Sequence, residues 1–203
     1  MAGRSAADRA RGAADVHRLA APRADDEGAF AHVRLSVADR LIAAQTRLPR
    51  RLRLLVVEGF RLAALQQHYF TESVAAHQAA HPGWDERRAH VEASRYVSPP
   101  EVAPHVSGGA VDLTPCTVSG TELPMGTQMN ATPPESDEAC YTAFPGISAE
   151  ARHNRDILGT ALVSAGFVNH PTEWWHWSYG DRYWAFITGS RFARYGMSHG
   201  PAH

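Results

Sequence analysis

Apolar residues recur at helical spacing in three parts of the chain. The segment SVADRLIAAQ begins at Ser36, a residue type that favours helix N-caps, and predicts a first helix. A helical pattern returns from about residue 62 to residue 94, and Pro82 predicts an interruption within it. The clearest helical pattern begins at Ser148 and ends at Gly166, a residue type that often follows a helix C-terminus. Its apolar face consists of Ile157, Leu158, Ala161, Leu162 and Ala165.

Other parts of the chain carry strand-like patterns. Residues 51–58 form a Leu/Val run typical of a buried strand, and Gly59 ends it. Residues 95–145 are short, strand-like and rich in turn residues, and the aromatic segment 173–188 predicts two paired strands with Gly180-Asp181 as the hairpin turn. Helices and strands therefore occur in blocks instead of alternating. This order predicts a single α+β domain with a mainly antiparallel sheet and flanking helices.

The two ends of the chain differ from its middle. Residues 1–28 are a mixture of Ala, Arg and Asp without Phe, Trp or Tyr, and such a segment buries little apolar surface. We expect a flexible leader there, and a helix that docks on the domain is the alternative. The domain itself is expected to span residues 29–195, and residues 196–203 are expected to form a flexible tail.

Composition narrows the range of partners. The formal net charge is −1, so no general basic field favours nucleic acid or an anionic membrane. No stretch approaches the roughly 18 apolar residues of a membrane span, and no apolar block follows the N-terminal arginines as in a secretory signal. We therefore expect a cytoplasmic protein. In that compartment Cys116 and Cys140 are expected to be free thiols, with a disulfide as the alternative.

The first motif with chemical content runs from His105 to Asp112. In an uninterrupted strand, two residues seven apart would point to opposite faces of the sheet. Gly108-Gly109 lies between them, and a bend at these glycines would let both side chains converge. Taken alone, a histidine followed by an aspartate at this spacing is more often structural than functional.

The second motif is Glu173-Trp174-Trp175-His176. Taken alone, it is also consistent with an aromatic core that contains a hydrogen-bonded histidine. Together the two motifs supply His, Asp and His, which suit a catalytic zinc site that keeps one position open for water. A carboxylate that takes a proton from that water completes such a site, so we assign Glu173 as the base and not as a fourth ligand.

Four segments in this order resemble a known family. H-x-x-G-x-A-x-D at 105–112 and E-W-W-H at 173–176 are accompanied by Glu58-Gly59-Phe60-Arg61 and Met125-Gly126-Thr127. The combination resembles the zinc D-alanyl-D-alanine dipeptidases of the VanX type, within the group that includes zinc D,D-carboxypeptidases and the hedgehog-type fold. The resemblance spans roughly residues 33–190 and implies a DD-peptidase-like fold.

The resemblance implies a role for each matched position. It implies zinc ligation by His105, Asp112 and His176 and acid/base catalysis by Glu173. It also implies stabilisation of the tetrahedral oxyanion by Arg61.

The chain departs from the family at positions that the resemblance places in the substrate pocket. Ala103 stands where the family commonly has serine, and Leu62 stands where proline is usual after the arginine. Asn130 replaces an aspartate that resembles an anchor for the free ammonium group of the substrate. Together with Trp175 as a pocket wall, Ala103 and Asn130 are therefore the expected substrate-contacting residues. Because an amide lacks the charge of a carboxylate, the substrate is expected to differ from D-Ala-D-Ala.

The sequence therefore predicts a metallopeptidase that binds one zinc ion per chain and hydrolyses a small peptide or amide. One alternative is a D,D-carboxypeptidase or peptidoglycan-type peptidase, and another is a family member that acts on a different amide in specialised metabolism. A non-catalytic zinc-binding module and a protein without metal are further alternatives. The oligomeric state stays open.

Overall fold

Six helices and four strands follow one another along residues 28–198 and 200, which are the part of the chain that the computed structural model describes. The helices are α1 (Leu35–Gln45), α2 (Ala63–Ala80), α3 (Glu86–Ala93), the short α4 (Pro133–Ser136), α5 (Ala149–Ser164) and α6 (Arg182–Thr188). The strands are β1 (Leu52–Glu58), β2 (Ala110–Thr117), β3 (Val168–Asn169) and β4 (His176–Ser178). Single 3₁₀ turns cover Ala29–Ala31 and His105–Ser107.

The four strands form one antiparallel sheet in the order β1-β2-β4-β3. The predicted α+β class with an antiparallel sheet is confirmed. The central strand β2 is buried along nearly its whole length, because β1 and β4 flank it and α5 packs against it. The main core joins side chains of β1, β2 and β4 with those of α1 and α5 and includes Leu54, Val111, Leu113, Leu158, Leu162 and Trp177.

Several predicted elements agree closely with the structure. The strand at 51–58 is β1, and the interrupted helix at 62–94 is the pair α2 and α3, which pack against each other. Helix α5 begins as predicted, because the Ser148 hydroxyl accepts a hydrogen bond from the Ala151 amide. It ends at Ser164, and Gly166 follows with a φ of 88°, the left-handed conformation that glycine tolerates best.

Two predicted boundaries are wrong for local reasons. Helix α1 starts at Leu35, with Arg34 at the N-cap, so Ser36 does not cap it. The aromatic segment 173–188 is not a hairpin, because β4 ends at Ser178 and helix α6 follows. Asp181 is the N-cap of α6 and accepts a hydrogen bond from the Trp184 amide at 2.7 Å. The aspartate therefore begins a helix where we expected it to turn a strand.

The region 95–145 is also less strand-like than predicted. Among the described residues it contributes only β2 to the sheet, and the remainder consists of turns, a 3₁₀ turn and α4. Cys116 and Cys140 are both buried and free, as expected. The predicted leader lies outside the described residues except for Gly28, and so do positions 199 and 201–203 of the predicted tail. Of the helices described, none has the length and apolar character needed to cross a membrane.

One buried cation fixes the turn-rich region to the core. Arg155 of α5 is 4% exposed and donates hydrogen bonds to the carbonyl oxygens of Met125, Ala139 and Tyr141 at 2.7–2.8 Å. Burial lowers the pKa of Arg155 to about 10, which still leaves the guanidinium charged near neutral pH. The loop that carries Asn130 is therefore attached to the core through this side chain.

Replacing Arg155 with methionine should destabilise the protein by about 3 kcal/mol or more, because it leaves several buried carbonyl oxygens without a donor. Urea unfolding of Arg155→Met and of the exposed control Arg87→Met measures the difference. Equal unfolding midpoints for the two variants would show that the loop is held by other contacts.

Candidate metal centre

The register of the sheet places three polar side chains in one row. Asp112 of β2 lies opposite Glu58 of β1 on one side and opposite His176 of β4 on the other. Residues directly opposite each other in an antiparallel sheet project from the same face, so all three side chains share one face. The pairing skips Val57, since Val56 lies opposite Leu113 and Glu58 opposite Asp112. This bulge places Glu58 opposite Asp112, in the position that Val57 would occupy in a regular ladder.

His105 reaches the same place from outside the sheet. It lies in a 3₁₀ turn that ends at Gly108, whose φ is 71°. At Gly109 a Cβ atom would lie 2.8 Å from the Tyr179 carbonyl oxygen, so no side chain fits there. The predicted bend at the two glycines is therefore present, although His105 belongs to a turn and not to a strand.

The three predicted ligands form a tight triangle. The Asp112 Oδ1 atom lies 3.0 Å from His176 Nδ1 and 3.3 Å from His105 Nε2, and the two nitrogen atoms are 3.2 Å apart. Tetrahedral zinc with bonds of about 2.0–2.1 Å separates neighbouring ligand atoms by about 3.3 Å. The triangle therefore has the size and the donor types that zinc requires, and all three side chains are buried.

Backbone contacts orient the first histidine. The Nδ1 atom of His105 lies 2.7 Å from the Gly59 carbonyl oxygen, which can only accept a hydrogen bond. Nδ1 therefore carries a proton, so Nε2, which faces Asp112 and His176, is the atom that would bind a metal ion. Such a contact fixes the tautomer and the ring orientation that a metal ligand needs.

The electrostatics of the cluster also suit a cation. Burial acts to raise the pKa of Asp112, but the charge of His105 and hydrogen bonds from both histidines outweigh it and hold this pKa far below its usual range. Burial likewise acts to lower the pKa of His176, and the hydrogen bond to Asp112 and its charge raise it to about 9. A buried carboxylate thus stays ionised only because positive charge lies beside it. A divalent cation at the centre of the triangle would supply that charge directly.

Glu173 lies beside the triangle and outside it. Its Oε2 atom is 3.8 Å from His176 Nδ1, and its side chain is 36% exposed, against 6% for the two residues of the His176–Asp112 pair. Burial raises the pKa of Glu173, and the charge of His176 offsets part of that rise. A carboxylate with a raised pKa at the edge of a cation site is placed to exchange protons.

Arg61 follows the row at the end of β1. Its Nε and Nη2 atoms donate to the two Glu58 carboxylate oxygens at 2.7 and 2.6 Å, and Nη1 donates to Gln66 Oε1 at 2.8 Å. Burial acts to lower the pKa of Arg61, but the bonded charge of Glu58 outweighs it and raises this pKa, so the guanidinium is permanently charged. These contacts use three of its five N–H groups, which fixes the plane of the guanidinium and leaves two donors for a ligand.

The site opens into a cavity of about 610 Å³, which is within the usual size range of small-molecule sites. The three residues predicted to contact the substrate, Ala103, Asn130 and Trp175, all line it. Ala103 and Trp175 are buried, whereas Asn130 is exposed and has a φ of 61°. The structure therefore brings every predicted site residue to one cavity.

Known proteins resemble this chain over most of its length. The peptidase M15 family model, described as D-ala-D-ala dipeptidase, matches residues 23–193. The chain belongs to this family. The M15 match covers α1 to α6 and all four strands, and so includes both motifs.

Individual relatives of this M15 protein share about a third of their residues with it over the matched segments. A D-alanyl-D-alanine dipeptidase of Synechocystis sp. is 31% identical over 160 residues, which are 68% of this chain and 64% of that protein. A D-alanyl-D-alanine dipeptidase of Enterococcus faecium is 35% identical over 78 residues, or 38% of this chain and 37% of that protein. The matches thus span less than two thirds of these relatives. The structure of VanYB in complex with D-alanine-D-alanine covers 87% of this chain and 86% of its own with 18% identity and a TM-score of 0.44, too low for residue correspondences.

Asn169 is a site residue that the sequence did not single out. Its Nδ2 atom donates to the carbonyl oxygens of both Glu173 and His176, at 3.1 and 2.9 Å. Its Oδ1 atom accepts a hydrogen bond from the Thr142 hydroxyl at 2.5 Å. The amide thus bridges the two ends of the E-W-W-H motif. The pattern of apolar residues could not reveal this, because an asparagine after a helix is most simply a turn residue.

We expect Asn169→Ala to weaken zinc binding about tenfold or more, because the backbone that carries His176 and Glu173 loses its bridge. Competition with a chromogenic chelator measures the affinity. The matched control is Asn154→Ala, which removes a buried asparagine that bonds only the Pro124 carbonyl oxygen among the described residues. Equal zinc affinities for the two variants would assign Asn169 to general stability alone.

Proposed function

We propose that this M15 protein is a zinc-dependent hydrolase of small peptides or amides. The observation that carries the proposal is the buried His105–Asp112–His176 triangle with Glu173 at its edge and a cavity in front of it. Family membership supports the same class of reaction. A purely structural zinc site tends to be closed by a fourth protein ligand, so the carboxylate at the edge favours catalysis over a non-catalytic module.

His105, Asp112 and His176 would hold the ion through Nε2, Oδ1 and Nδ1. A bound zinc ion lowers the pKa of water toward 7 and polarises a carbonyl group. Glu173 would take the proton of the attacking water and deliver it to the leaving amine. Its raised pKa suits both transfers, because a carboxylate with a higher pKa is a stronger base and can still release the proton.

Arg61 would meet the negative charge that develops on the carbonyl oxygen. Its guanidinium is held by Glu58 and Gln66, so it needs no rearrangement when the charge appears. Glu58 is in turn fixed by its place opposite Asp112 in the sheet. The proposed oxyanion donor and one metal ligand therefore share a single rigid support.

The substrate is proposed at the level of a small peptide or amide. The relatives named as D-alanyl-D-alanine dipeptidases make D-Ala-D-Ala the first compound to test. Asn130 is uncharged and lines the cavity, which favours substrates whose amine is blocked or uncharged. A D,D-carboxypeptidase that acts on a longer peptide is the alternative, and a panel of free, N-acylated and longer peptides separates the two.

We predict about one zinc ion per chain, and the removal of most of it by alanine at His105, Asp112 or His176, since three ligands leave no redundancy. Glu173→Gln should retain the zinc and lose about two orders of magnitude or more in rate. Elemental analysis and initial rates on the peptide panel provide the two readings. A ligand variant with full occupancy would show that the ligands are misassigned, and a Glu173→Gln variant with ordinary rates would remove its role as base.

Arg61→Ala should lower kcat about a hundredfold with a smaller change in KM, because the charge it meets exists mainly in the transition state. Arg61→Lys keeps the charge but loses the paired contacts with Glu58, so it should recover only part of the rate. Unchanged zinc content in both variants serves as the control. An effect confined to KM would instead make Arg61 a ground-state anchor.

A further inference from the structure

Outside the metal centre, the described charged residues that line the cavity are all positive. Among the described lining residues, the only carboxylates are Asp112 and Glu173, and both belong to the metal centre. Three arginines line the same cavity, Arg61, Arg95 and Arg182. Outside the metal centre, the described wall therefore offers cations and no anion.

The three arginines differ in what they already bind. Arg61 is bonded to Glu58 and Gln66, and the Nε atom of Arg95 lies 3.3 Å from Glu92. Arg182 is exposed, and within the described part of the chain its side chain has no hydrogen bond, ion pair or ring contact. Among the described lining arginines it is therefore the one whose charge no carboxylate already balances.

The wall that carries Arg182 is firmly attached. Helix α6 is capped by Asp181, and the Trp184 indole N–H donates to the Gly166 carbonyl oxygen at 3.0 Å. Tyr183 packs against His170 with ring centroids 5.0 Å apart, and its hydroxyl donates to the Asn169 carbonyl oxygen. The backbone beneath Arg182 is therefore held in place, and only its side chain needs to be ordered by a ligand.

This wall also adjoins the metal centre. His170 lies between Tyr183 and the metal-ligand candidate His176, with ring centroids 5.8 Å apart for the two histidines. One helical turn beyond Arg182, Phe186 lines the same cavity and is 80% exposed. Its ring is an apolar surface at the edge of the cavity that a bound ligand can cover. The face thus combines a free guanidinium with an apolar ring.

We propose that Arg182 and Phe186 form a substrate subsite for a carboxylate with an adjacent apolar group. The inference rests on the proposed function and deepens it, because it assigns the recognition of a negatively charged substrate to α6. A guanidinium binds a carboxylate through two parallel N–H···O bonds, which supplies direction as well as charge. The phenyl ring of Phe186 would cover the alkyl part beside that carboxylate. Peptides that end in a carboxylate are thereby favoured over the corresponding amides.

Binding without turnover tests this subsite independently of the proposed chemistry. The probes are N-acetyl-D-Ala-D-Ala and its C-terminal carboxamide, titrated calorimetrically into zinc-loaded Glu173→Gln protein. We expect the carboxylate to bind about three- to tenfold more tightly than the amide, a modest preference because Arg182 is exposed to solvent. The preference should shrink as salt is raised from 0.05 to about 0.5 M, since exposed charges are screened.

Adding Arg182→Gln to this protein should reduce the preference to about one, whereas adding Arg87→Gln, an equal loss of charge outside the cavity, should leave it unchanged. Adding Phe186→Ala should weaken both ligands and keep their ratio. A preference that survives Arg182→Gln would overturn the subsite even if the protein is an active peptidase. Its loss in Arg182→Gln would support the subsite even if no peptide is hydrolysed.

Discussion

A buried carboxylate between two imidazole rings is the interaction on which the rest of this structure depends. Asp112 is 4% exposed, and one of its oxygen atoms lies within 3.3 Å of nitrogen atoms of both His105 and His176. An isolated carboxylate in such a place would be neutralised by protonation. Positive charge must therefore stay beside Asp112, supplied by the histidines or by an ion. Asp112 is therefore ionised in this place only together with the two histidines or a bound ion.

The pairing of the strands positions the residues around this carboxylate. The sheet register sets Asp112 beside His176, a bulge at Val57 adds Glu58 to the same row, and Glu58 in turn orients Arg61. The parts of the site outside the sheet are held by hydrogen bonds, such as the contact from His105 to the Gly59 carbonyl oxygen. Positions in a sheet are harder to displace than positions in a loop, so Asp112, His176 and the Glu58 side chain that holds Arg61 share the rigidity of the sheet.

The sequence predicted which residues lie together in the cavity better than it predicted the elements that carry them. The short motifs at 105–112 and 173–176 were enough to predict the cluster, because the ligand types, their spacing and the two glycines can all be seen within a short segment. The helix after Asp181 was missed, because its aromatic residues favour a strand. The Asp181 side chain, however, accepts a hydrogen bond from the Trp184 amide, and this N-cap favours a helix. The bulge at Val57 was not foreseeable, since it depends on the pairing of β1 with the distant strand β2. Asn169 was not foreseeable either, because the pattern of apolar residues does not indicate that its amide bonds the Glu173 and His176 carbonyl oxygens. The sequence could not predict a role for Arg182, because that role depends on which arginines line the cavity and which of them already have carboxylate partners.

X-ray absorption spectroscopy of the zinc-loaded protein tests the central claim most directly. The account predicts nitrogen and oxygen neighbours only, at about 2.0–2.1 Å, with the multiple scattering of two imidazole rings. Asp112→Ala loaded with zinc at high concentration should lose an oxygen neighbour and keep the imidazole signal. Sulfur at about 2.3 Å would place the ion at Cys116 or Cys140 instead, and the absence of imidazole scattering would likewise contradict a His–Asp–His centre.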